Sequence, residues 1–223
     1  MDSGLARDIS LVCLAGGIVG VSYGAIAVGL GFELWVPMLL SVLVFAGAAQ
    51  FMLIGIIASG GSLIAAVLAA LLVNARHLPF GFAIGDVLSG SLPQRLLGSY
   101  LMIDENVAFA LAQRNTHRRR AAYWACGIGL FISWNLGGVL GAFAGTAITD
   151  TEAFGLDAAF PAMLLALVLP SLRDAATRRA VLVGIVAALA ATPLLPAGLP
   201  VLIALVGVLF DLGATRQDQE PVT

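Results

Sequence analysis

Nine polar residues stand inside strongly apolar runs, and their types are those that handle charge. Asn74, Arg76 and His77 fall in NARHLPF, Asp104, Glu105 and Asn106 in IDENVAF, Gln50 in FAGAAQF, and Trp134 and Asn135 in ISWNLGG. A guanidinium keeps its proton, whereas a carboxylate and an imidazole can exchange theirs. The set therefore offers one fixed cation, two titratable acids and one titratable base. One acid can neutralise Arg76 while the other is left to bind an ammonium group or a proton. The structural alternative is a buried ion pair, but such pairs bring little net stability compared with apolar packing. A second carboxylate beside the first favours a substrate or ion path. His77 reads either as a satisfied core histidine or as a proton carrier. Gln50 reads as interhelical hydrogen-bond glue or a substrate contact, and Trp134 and Asn135 as packing or binding residues.

The elements that must position these residues are membrane helices. Of 223 residues, 60% are hydrophobic and 11% are charged, against about 25% charged in ordinary soluble domains. A soluble chain of this size has too little interior for so much apolar surface. Apolar runs at roughly 9–31, 36–58, 63–84, 96–113, 122–145, 159–172, 180–192 and 198–211 predict seven or eight crossings. The last three are short and interrupted by Pro161, Pro170, Pro193, Pro196 and Pro200, which suits tilted half-helices or a re-entrant pair. The fold class is thus an all-α polytopic membrane protein with broken helices near the midplane. Residues 1–212 form one transmembrane domain, and 213–223 form a polar cytoplasmic tail.

Depth and helical phase constrain the site further. The third and fourth runs have midpoints near Asn74 and Asp104, so antiparallel neighbours would bring Arg76 and His77 level with the acids. In regular helices Asn74 and Arg76 point about 160° apart, and Asp104 to Asn106 sweep about 200°. Pro79 offers relief, because a proline there frees the Ala75 carbonyl and predicts a break beside Arg76 and His77. Broken helices at midplane recur in transporters.

All eleven basic residues are arginine. The positive-inside rule places Arg114, Arg118, Arg119, Arg120, Arg173, Arg178, Arg179 and Arg216 in the cytoplasm, with both termini there and the acidic loop of Asp150, Glu152 and Asp157 outside. Only Arg95 falls on the wrong side. Glu33 and Asp86 read as solvated charges at membrane edges, and RNTHRRR as a topology anchor. Gly16, Gly20 and Gly24, and likewise Gly137, Gly141 and Gly145, are spaced for close helix packing. No basic stripe for nucleic acid is present. Cys13 and Cys126 form neither a disulfide framework nor a metal motif, and no HExxH or Walker sequence occurs. No metal, cofactor or enzymatic activity is expected.

FAGAAQF, LLVNARHLPFG, IDENVAFAL and DAAFPAMLLALVLP, in that order, resemble segments of the AzlC-like branched-chain amino acid permease family. Pro79, Phe80 and Asn106 depart from the residues usual there. The resemblance implies a subunit of a proton-driven exporter of valine, leucine or isoleucine in the bacterial cytoplasmic (inner) membrane. It also implies a small AzlD-like membrane subunit as partner. A channel or a non-transporting membrane scaffold is the alternative; a channel would be expected to present rings of like charge or of carbonyls.

Overall fold

Apolar sequence with small residues at every fourth position favours long helices that pack backbone to backbone, and this pattern organises the chain. A computed structural model describes residues 3–147, Leu165, Leu169, 171–196 and 198–209. The acidic loop, most of the run 159–172 and the tail 213–223 lie outside the described residues. Every regular element among the described residues is helical. Three of the helical stretches, Ser3–Gly29, Leu63–Ala83 and Thr116–Ala147, are long and apolar enough to cross a membrane. The chain divides into two units, one formed by 1–50 and 74–159 and the other by 51–73 and 160–223.

The spine of the first unit is a pair of helices, α1 (Ser3–Gly29) and α8 (Thr116–Ala147). A Cβ on Gly20 would lie 2.7 Å from the Trp134 carbonyl oxygen, and one on Gly145 would lie 2.9 Å from that of Ala25. Contacts advance together along both helices, from Gly17 against Ser133 to Ala25 against Gly145, so the two run parallel. The glycine repeats thus serve packing: with no side chain between them, the backbones gain close dispersion contact.

Helix α2 (Trp35–Leu43) returns along α8 from the far end. The Tyr23 hydroxyl donates to the Pro37 carbonyl at 3.3 Å, and Ser41 lies beside Gly138. The chain then breaks at Val44–Ala46 before α3 (Gly47–Ala58). After α4 (Leu63–Asn74) a second break at Ala75–Arg76 precedes α5 (His77–Ala83). Pro79 stands in the first turn of α5, where its missing N–H costs nothing.

The fourth apolar run differs from a single crossing. It folds as α6 (Leu92–Tyr100) and α7 (Asp104–Leu111), joined at Leu101–Ile103. Going up α6, Gly90 just before it lies near Arg120, Gly98 near Trp124, and the Tyr100 ring beside Phe131. Going down α7, Asn106 lies against Gly127, and Val107 and Ala110 join Tyr123, Ile84 and Val87 in one buried cluster. The pair is a hairpin that enters and leaves at the same end of α8. Asp86, expected at the opposite edge from the arginine run, pairs with Arg119 at 3.0 Å, and Arg119 also donates to the Ala83 carbonyl. Arg95 therefore belongs to the same end of this unit as Arg118, Arg119 and Arg120, and its exception to the charge rule disappears. Hydropathy missed this because two half-length helices have the composition of one full span. The RNTHRRR run is also partly helical, since Thr116 to Arg120 begin α8.

In the second unit, Ile56 of α3 packs with Ala66 and Ala69 of α4, and Val201 and Leu202 cover them. Helix α9 (Ala175–Ala191) and α10 (Leu199–Ile203) form an antiparallel pair. A Cβ on Gly184 would approach the Ala204 carbonyl to 2.7 Å, and Gly207 packs back on Ala180. Pro193 and Pro196 occupy the turn between them. Gly198, at φ +94°, adopts a left-handed conformation there that glycine tolerates.

Candidate functional site

A helix that stops inside an apolar layer leaves carbonyls and N–H groups without partners, so polar side chains must gather at each break. The break between α2 and α3 shows this directly. Gln50, fully buried, donates through Nε2 to the Leu40 and Val44 carbonyls and accepts at Oε1 from Trp134 Nε1 at 3.0 Å. Trp134 stacks on Tyr23, with ring centroids 5.7 Å apart. The Tyr100 hydroxyl donates to the Val42 carbonyl. These three polar side chains close the end of α2, and the hydrogen-bonding atoms of Gln50 are occupied in doing so.

The hairpin tip is clamped by one residue. Asn106 is fully buried; its Oδ1 accepts from the Ile103 N–H at 3.0 Å, and its Nδ2 donates to the Leu101 carbonyl at 2.7 Å. Both ends of the interruption are thereby satisfied by a single amide. Gly127 leaves room for it, since a Cβ there would lie 2.7 Å from Asn106 Nδ2. Asn135 bonds within its own helix, donating to the Phe131 carbonyl at 2.8 Å.

The break between α4 and α5 is different, because it is charged and its hydrogen bonding is incomplete. Arg76 Nη2 lies 2.9 Å from Asp104 Oδ2, joining this break to the first turn of α7. Two acids in that turn suit the positive end of the helix dipole. Both members of the pair keep about a quarter of their side-chain surface accessible, 28% and 24%. His77 Nδ1 lies 3.0 Å from the Asn74 carbonyl. A carbonyl only accepts, so Nδ1 carries the proton, and in the neutral ring Nε2 is an acceptor. Among the described residues, three side-chain atoms here are buried without a hydrogen-bond partner: Asn74 Oδ1, Arg76 Nε and His77 Nε2. Glu105, next to Asp104, is exposed and forms no ion pair among the described residues.

The nine residues singled out by sequence thus fall into separate groups. Asn74, Arg76, His77, Asp104 and Glu105 come together where two breaks meet. Asn106 holds the hairpin tip beside them. Gln50 and Trp134 lie at the α2 break, and Asn135 is turned to its own helix. Sequence reasoning missed Tyr100 and its neighbours Phe45 and Phe131, whose rings lie 5.2–6.4 Å apart and link the α2–α3 break to the α6 side of the hairpin tip. A tyrosine within an apolar run was the available signal, since a hydroxyl at that depth needs a partner.

At the arginine-rich end of the first unit, a cavity of about 420 Å³ opens between α5 and α6. Gly81, Gly85, Leu88, Ser89, Gly90, Arg95 and Ser99 line it.

Apolar helices interrupted in mid-course, with charge held at the interruptions, define, among the described residues, a helical membrane protein. The family model described as AzlC protein matches residues 11–148. The chain belongs to the AzlC family. It is 32% identical to an uncharacterised membrane protein of Archaeoglobus fulgidus over 76% of this chain and 75% of that one. It is 33% identical to the inner membrane protein YgaZ of Escherichia coli over 66% of this chain and 65% of the relative. The branched-chain amino acid transport protein AzlC of Bacillus subtilis is 31% identical over 40% of this chain and 35% of its own length. No solved structure matches.

Proposed function

We propose that the chain is the larger subunit of a secondary transporter that exports branched-chain amino acids, driven by protons. The observation that carries this reading is the set of unfilled atoms at the α4–α5 break. A donor on Arg76 suits a carboxylate, and acceptors on Asn74 and His77 suit an ammonium group. Leaving such atoms buried and unpaired costs about 1–3 kcal/mol each, a cost that a bound zwitterion would offset. Asp104 holds Arg76 in place, and Glu105 supplies the exchangeable negative charge that receives the substrate ammonium or a proton. The name of the Bacillus subtilis relative supports branched-chain substrates. A small AzlD-like membrane protein is the partner in this reading. Loose selectivity among valine, leucine and isoleucine follows, because one methylene alters binding by only about 1–3 kcal/mol.

Orientation belongs to the same proposal. The arginine-rich end of the first unit, where α1 begins, faces the cytoplasm of a bacterial inner membrane. The test is counterflow of labelled leucine in proteoliposomes, with and without a small membrane partner. Saturable, pH-dependent exchange that disappears in Asp104→Asn/Glu105→Gln is expected. Undiminished proton-coupled exchange by that variant would defeat the assignment.

A further inference from the structure

The cavity between α5 and α6 plays no part in holding the two breaks, yet it has a definite chemistry. Its volume, about 420 Å³, lies within the roughly 300–1,000 Å³ of small-ligand pockets. Its floor is kept open by missing side chains. A Cβ on Gly81 would meet nothing within 4 Å, and one on Gly85 only backbone of the preceding turn. Among the described residues, its single charged lining residue is Arg95. Arg95 forms no ion pair among the described residues, and Asp86, the acid nearest the cavity in sequence, is held by Arg119 at 3.0 Å. Ser89 and Ser99 add hydroxyls to the lining. A small open space with one cation and, among the described residues, no acid in its wall selects anionic groups.

Its place in the fold relates it to the charged break. Gly81 stands four residues after His77 on α5, so the two share a face of that helix. Arg95 and Ser99 are similarly spaced on α6, which leads toward the hairpin tip and Asp104. We propose that this cavity is the entry vestibule of the substrate path, and that Arg95 captures the carboxylate of an amino acid before it reaches Arg76. This rests on the transport reading above for its meaning, but the vestibule can be tested without flux.

The experiment uses full-length protein with Cys13 and Cys126 replaced, reconstituted in phosphatidylcholine vesicles so that no anionic lipid competes. Ser99→Cys is labelled with anionic and cationic thiol reagents of equal size. The anionic reagent is expected to react faster by roughly tenfold, the low end of steering into a charged cleft. Leucine should slow labelling, and Arg95→Gln should abolish both effects. Arg76→Gln should leave the charge preference intact while ending transport. Gly81→Leu, whose side chain enters open space, should block labelling and raise the leucine KM from the arginine-rich side only. Labelling indifferent to reagent charge and to leucine, alongside normal transport, would overturn the vestibule and leave the transport reading standing. Absence of leucine transport by the unmodified protein would remove that reading and the path with it, while leucine protection of the Ser99→Cys thiol would still support an amino acid site at Arg95.

Discussion

The ion pair and the clamps answer to different substitutions. Asp104→Asn removes the acid facing a partly accessible guanidinium; the expected loss is about 1–3 kcal/mol, less than for a fully buried pair. The exchanged pair Arg76→Asp/Asp104→Arg should recover much of that stability, measured by thermal unfolding in detergent. It should not recover leucine exchange, because the cation has moved from the α4–α5 break to α7. Full recovery of both would make the pair purely structural. Asn106→Ala deprives the Leu101 carbonyl and the Ile103 N–H of partners, and the same unfolding measurement should show a loss of about 2–4 kcal/mol. Substrate affinity in the remaining folded protein should follow the integrity of the tip.

Helix pairing depends on absent side chains. Gly137 and Gly141 face α1 backbone, so Gly141→Leu should force α1 and α8 apart and lower the yield of folded protein in size-exclusion chromatography. Gly4→Leu, with nothing within 4 Å, should leave it unchanged. At the start of α9, Asp174 caps the helix by accepting from the Thr177 N–H at 2.7 Å, and these bonds hold its carboxyl below the usual carboxylate range. A depressed folded pKa means that the cap's contribution is present above the ordinary carboxylate value and is lost as pH falls through the lowered one. Amide exchange at Thr177 should therefore speed up at acid pH relative to Asp174→Asn, whose amide oxygen still accepts. Equal profiles for the two proteins would show that the carboxylate charge contributes nothing there.

For the protein as a whole, the hairpin of α6 and α7 fixes which loops share a side. Ser89→Cys and Thr116→Cys should be labelled by an impermeant reagent from one face of oriented vesicles, and Glu33→Cys from the other. Labelling of the first two from opposite faces would restore a full crossing by the fourth run. Much of this protein was legible beforehand. An apolar, charge-poor chain requires helices in lipid, four-residue glycine spacing requires close helix contact, and Pro79 beside Arg76 and His77 requires an interruption, because each follows from local backbone chemistry. The pairing of Arg76 with Asp104, the return of α7 beside α6, and the use of Gln50, Trp134 and Asn106 to close helix ends were decided only in the tertiary structure. Apolar composition is the same for one long span and for two short antiparallel ones, and a buried amide or carboxylate takes its role from whichever atoms the packing brings within hydrogen-bond distance.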